Sequence, residues 1–165
     1  MGGRGNYLEI PDFQRSFSWT GDQAKDLFDD INDFIKEHGK KFLKYQYFLG
    51  SIVAYPESDA LKLIDGQQRI ASLTILAACI RDRLLDLDEF KANQLHFDLI
   101  QEELRSGSGG EVRNKLTLNK DDQVYFNTLI QTYPSVKAPK PILASTKKIS
   151  KSGASLTERL VSGNI

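Results

Sequence analysis

The sequence predicts an α+β fold, a small mixed sheet packed on helices, and three stretches carry that prediction. Residues 47–55 and 61–64 are rich in aromatic and β-branched side chains around the turn residues Pro56-Glu57-Ser58-Asp59, which reads as a hairpin. Residues 67–88 repeat apolar side chains at Ile70, Leu73, Ala77, Ile80, Leu84 and Leu87, the spacing of one helix face. Thr20 with Gln23 three residues on is a capping-box signature, and the apolar positions 24, 27, 28, 31, 34 and 35 continue it as an amphipathic helix.

Between and beyond these stretches the chain is read in order. Leu8-Glu9-Ile10 is a short strand stopped by Pro11, and an aromatic-rich loop, Asp12 to Trp19, joins it to the first helix. Gly39 ends that helix. Asp65-Gly66 breaks the second hairpin strand, and the 67–88 helix starts directly after it. Further apolar residues on its other sides (Ala71, Ile75, Leu76, Ala78) mark it as the buried central helix. Residues 92–105 favour a helix over a strand, and Ser106 to Gly110 is a loop. Val112 to Leu118 reads as a strand, and Asn119 caps a helix over 120–131 with Asp121 and Asp122 in its first turn. Pro134, Pro139 and Pro141 among lysines suggest a linker, and a short helix is expected at 154–160. The predicted organisation is one domain over residues 1–134. A basic, Pro/Lys-containing tail over 135–165 would begin a further segment and is expected to be solvated and mobile.

Composition narrows the function. The 165 residues suit one domain, and 40% hydrophobic content is ordinary for a globular core. No apolar run is long enough for a membrane span, and the N-terminus lacks a secretory signal, so the cytoplasm is the expected compartment. The net charge is zero, which argues against a generic DNA-binding module. The tail, with 6 Lys/Arg against 1 Asp/Glu over 135–165, is the one strongly basic stretch. The lone Cys79 sits among apolar residues and reads as an inert thiol. His38 and His96 have no Cys or acidic companions at ligand spacing, so zinc is not expected. Neither a P-loop nor a nucleophile elbow occurs in the chain.

The chemistry concentrates at Asp65-Gly66-Gln67-Gln68-Arg69. A strand-to-helix corner presents unpaired backbone N–H groups and the positive end of the helix dipole. Gly66 admits close approach of a ligand, Gln67 and Gln68 add neutral donors and acceptors, and Arg69 offers a bidentate fork to phosphate. Asp65 has three available roles: holding a metal such as Mg2+, orienting a water, or binding a ribose hydroxyl. The competing reading is a solvated turn with an aspartate cap. A second cluster, Gln14 and Arg15 after Pro11, repeats the Gln-Arg chemistry. Phe13, Phe17 and Trp19 beside it either stack on a base or pack beneath the loop.

Three segments in order, IPDFQRSFSW at 10–19, YFLGSIV at 47–53 and LIDGQQRIASLTIL at 63–76, resemble the N-terminal domain of GmrSD-type modification-dependent restriction enzymes. The RNKLTLNKDDQVYF stretch at 113–126 resembles the family's next segment more loosely. The resemblance implies a ParB/sulfiredoxin-like fold that binds a nucleoside triphosphate, with NTPase activity expected, in an anti-phage system acting on modified DNA. It implies Asp65, Gln68 and Arg69 as catalytic residues. Gly66 and Gln67 would bind phosphate, with Gln14 and Arg15 as the second wall, and Phe13 and Trp19 are candidate base or DNA contacts. The family usually joins this domain to a C-terminal nuclease half, which is absent from this sequence. Expected partners are the triphosphate, DNA and an oligomeric assembly. The alternative is a non-catalytic DNA- or protein-binding module of a defence complex.

Overall fold

The computed structural model describes residues 7–104, 111–132 and 144–162. The expected loop at 106–110 and the proline-lysine stretch at 134–141 lie outside them. Strands β1 (Tyr7–Glu9), β2 (Val53–Glu57), β3 (Ala60–Asp65) and β6 (Leu116–Thr117) form one sheet in the order β2-β3-β1-β6. β1 runs parallel to both β3 and β6, with Leu8 opposite Leu61 and Leu116, while β2 and β3 are an antiparallel hairpin. The sheet is therefore mixed, and the fold is α+β as the sequence predicts. Strands β4 (Gln101–Leu104) and β5 (Glu111–Asn114) make a separate antiparallel pair.

Helices cover the sheet. α1 (Gly21–His38) starts at a complete capping box, with Thr20 and Gln23 each accepting from the other's backbone N–H. α2 (Gln67–Leu85) is the central helix; Ala71, Ile75 and Ala78 are buried with Leu63 of β3. α3 (Glu89–Leu99) packs on α2, and α4 (Lys120–Phe126) starts at Asn119, whose side chain accepts from the Asp122 N–H. α4 continues into a π-helical turn, Asn127–Gln131.

Five expectations are corrected. Residues 47–52 are not strand: β2 begins at Val53, because side-chain donors rather than a ladder take the carbonyls of Leu49 and Ser51. Pro56 and Glu57 belong to β2 rather than to the turn; β2 is an edge strand, where proline costs no ladder donor. The 92–105 helix is instead α3 followed by β4, and the 112–118 strand breaks at Lys115, so its two halves pair with β4 and β1. Residues 144–161, expected as tail with a short helix at 154–160, form an 18-residue helix, α5 (Ala144–Val161), that packs on α1 and α2. Ile149 and Leu156 are buried in the same core as Ile75 and Phe28, which stabilises by about 1.5–3 kcal/mol per side chain.

No described helix is long and apolar enough to cross a membrane. Cys79 is half-buried against α5, its thiol donating to the Gly153 carbonyl, and burial raises its pKa. That is the environment of an unreactive thiol.

Candidate functional site

The corner between β3 and α2 is built by backbone conformation first. Gly66 is the N-cap of α2 with φ 89° and ψ 0°, and no side chain caps the helix. A Cβ at Gly66 would sit 3.1 Å from Ile52 Cγ1, so both the left-handed backbone and the close approach select glycine. The helical ladder begins only at the Ile70 N–H, which donates to the Gly66 carbonyl at 3.0 Å. The first-turn amides ahead of it form the positive end of a 19-residue helix.

The loop 11–19 is fastened across this corner. Gln68 Oε1 accepts from the backbone N–H groups of Ser18 (2.7 Å) and Trp19 (3.3 Å). Asp122 Oδ2, from the first turn of α4, accepts from the Phe17 N–H at 2.7 Å. Gln14 spans the join: its Nε2 donates to the Ile64 carbonyl at 3.4 Å, and its own carbonyl accepts from Asn119 Nδ2 at 3.3 Å. Asp12 accepts from the Lys120 N–H. Three elements thus hold one irregular loop against the helix start.

The result is a cleft of about 200 Å³ lined by Arg15, Trp19, Asp65, Gly66, Gln67, Gln68 and Arg69. Arg15 is exposed and makes no ion pair or side-chain hydrogen bond with the described residues. Arg69 donates through Nη1 to the Leu49 carbonyl and through Nη2 to the Ser51 carbonyl (2.7 Å), and no carboxylate among the described residues neutralises it. Two of its five donors are therefore spent on the 49–51 backbone while its charge stays at the cleft. Gln67 is buried, and its Oε1 has no hydrogen-bond partner among the described residues. A polar atom buried without a partner costs about 1–3 kcal/mol, which marks a place where a ligand donor or water completes the bonding.

A second recess, about 400 Å³, adjoins the first and shares Trp19 and Arg69 as lining; Gln23, Asp26, Asp30, Tyr47 and Phe48 complete much of its wall. Burial, then the Asp30 carboxylate, raises the Tyr47 phenol pKa. The sequence reading did not anticipate this recess. Its aromatic signal, Tyr47-Phe48, is present in the sequence, but the composition around it is that of a strand.

Of the expected site residues, seven line the cleft together: Arg15, Trp19, Asp65, Gly66, Gln67, Gln68 and Arg69. Gln14 and Phe13 do not line it; Gln14 ties the loop to β3, and Phe13 is 73% exposed. Gln68 spends its carbonyl oxygen holding the loop, leaving its Nε2 without a partner among the described residues. Asp65 is exposed at the end of β3, and no group of three or more His, Cys, Asp or Glu side chains with metal-binding geometry occurs among the described residues. A Mg2+ here would take one Asp65 oxygen and depend on a ligand's own oxygens for the rest, a common arrangement for this ion. Asp122 was missed as a site residue, because an acid in a first helical turn is ordinarily explained by the dipole alone.

No curated protein matches the chain. A family model described as the GmrSD restriction endonuclease N-terminal domain matches residues 2–162. The segments that match include α5, which the loop-and-corner motifs alone do not reach. The chain belongs to the GmrSD restriction endonuclease N-terminal domain family, whose role lies in restriction.

Proposed function

We propose that the cleft binds the phosphates of a nucleoside triphosphate and that the domain couples nucleotide state to restriction of modified DNA. The observation that carries the reading is the uncapped start of α2 facing a cleft that Arg15 and Arg69 line. Helix-start amides and guanidinium groups are complementary to phosphate. The adjoining recess, with Trp19, Tyr47 and Phe48 in its wall, supplies apolar surface for a base and sugar. Asp65 beside the phosphates would hold Mg2+ or orient a water by accepting from it, and Gln68 Nε2, without a partner among the described residues, would donate to that water. Hydrolysis by this set follows the logic of phosphoryl transfer, where positioning and charge neutralisation supply most of the acceleration. The nucleotide would then bias a nuclease partner through a two-state change in the cytoplasm, with DNA and further copies of the chain as assembly partners.

The test is calorimetric. Wild-type protein should bind a non-hydrolysable triphosphate, and Arg69→Ala or Arg15→Ala should weaken binding at least tenfold with circular dichroism unchanged. Unaltered affinity in both variants removes the assignment. A non-catalytic module that reads DNA or a protein partner is the second reading; Phe13, exposed on the same loop as Arg15, favours it as an aromatic contact. Steady phosphate release from triphosphates, with or without modified DNA, excludes that alternative.

A further inference from the structure

Beneath the cleft lies a much smaller void of about 10 Å³, lined by Arg15, Phe17, Gln67, Asn119 and Asp122 among others. Two of these residues carry unmet bonding. Asp122 is 1% exposed; its Oδ2 is taken by the Phe17 N–H, and its Oδ1 has no partner among the described residues. Gln67, 7% exposed, leaves Oε1 at the same void without a partner among the described residues. Both orphans are acceptors, so neither satisfies the other unless a donor comes between them. A buried carboxylate also needs a compensating cation, since an uncompensated one costs several kcal/mol. Arg15 lines both this void and the phosphate cleft above it, and none of the described residues pairs with it. A guanidinium edge carries the two donors and the charge that the inner pair lacks.

We propose that Asp122 and Gln67 form an inner seat for the Arg15 guanidinium. Arg15 then has two stations: outward at the cleft, where it is exposed in this structure, and inward on Asp122 and Gln67. Asp122 is accordingly a positioning residue that sets the cleft's affinity by competing for Arg15. The outward station rests on the phosphate reading given above; the inward one does not.

The experiment uses the full chain with Asp122→Asn, Arg15→Ala and the double variant, and inorganic tripolyphosphate as the probe. Asparagine keeps an oxygen for the Phe17 N–H, removes the charge and replaces the second acceptor oxygen with an amide donor, so it offers the guanidinium neither. Asp122→Asn should tighten tripolyphosphate binding by about three- to tenfold, and the gain should vanish in the Arg15→Ala background, which separates competition for Arg15 from a general change of field. In the ligand-free protein, the Arg15 Nε–H resonance should be protected from exchange and lose that protection in Asp122→Asn. Equal gains in both backgrounds, with an unprotected Arg15 Nε–H, overturn the seat and leave the cleft reading intact. Absence of tripolyphosphate binding with Arg15 protection that depends on Asp122 sinks the cleft reading and leaves the seat. Density for a water, or for a proton-bridged contact, between Asp122 and Gln67 with Arg15 in solvent also overturns it.

Discussion

Arg69 and Gly50 hold one another in place. The guanidinium takes the carbonyls of Leu49 and Ser51, and the chain between them turns at Gly50 with φ 89°. A Cβ at Gly50 would lie 1.5 Å from Arg69 Nη1, a distance no packing adjustment accommodates without moving the arginine. Gly50→Ala should therefore displace Arg69 from the cleft and add left-handed backbone strain of about 1–2 kcal/mol. The expected outcome is a lower urea midpoint together with at least a tenfold loss of triphosphate affinity; retained affinity would show that Arg69 reaches its place without this turn. The corner glycine, Gly66, was legible because it separates a β pattern from a helical one. Gly50 was not, because its neighbours Tyr47 to Val53 have strand composition, and the event that prevents the strand is a side chain arriving from another element.

At the scale of elements, α5 shows where local pattern fails. Ile149, Ser152, Leu156 and Leu160 recur at helical spacing, yet the many lysines and serines around them resemble a solvated end. The helix is fixed by its neighbours instead. Gly21 at the start of α1 lies so near Ser155 that a Cβ there would approach its hydroxyl to 2.5 Å, and Arg159 forms an ion pair with Asp29 of α1. Ile149 is fully buried, and Ile149→Ala should cost about 2–5 kcal/mol, the range for truncating a core isoleucine. A solvated tail would make the same substitution neutral, so chemical denaturation separates the two descriptions. By contrast α1 was legible to its first residue, because the reciprocal bonds of Thr20 and Gln23 are local and owe nothing to tertiary context.

Helices, the second strand pair and the π-helical turn are tied together by a polar chain, buried at Arg81 and His96 and reaching the surface at Asn127, that no motif announces. Arg81 of α2, fully buried, donates to the Ile130 carbonyl at 2.9 Å and lies 3.1 Å from His96 Nδ1 of α3, while it pairs with Asp82. His96 Nε2 meets Gln101 Oε1 at 2.7 Å; Gln101 passes the chain to Asn114 of β5, and Asn114 to Asn127 of the π-helical turn. An arginine only donates, so Nδ1 is the acceptor and Nε2 carries the proton: the imidazole is neutral, its tautomer set by its partners. Burial, the largest effect, lowers the His96 pKa from the ordinary 6.5; the Gln101 hydrogen bond opposes it, the Arg81 charge lowers it further, and the Asp82 charge opposes least. The unfolded chain therefore binds this proton at higher pH than the folded one. Stability from the neutral imidazole is fully present above about pH 6.5 and is lost as the pH falls toward the depressed folded value, with a slope of at most about 1.4 kcal/mol per pH unit for one proton. Denaturation at pH 8, 6 and 5 should show that decline in the wild-type chain and a smaller one in His96→Gln, whose side chain has no proton to take up. Because the chain of bonds crosses α2, whose first turn forms the cleft, and α3, β5 and the π-helical turn, its loss on acidification loosens the frame that holds the corner. Triphosphate affinity should fall over the same pH interval in the wild type and less steeply in His96→Gln. Parallel affinity profiles for the two proteins would separate the cleft from this network.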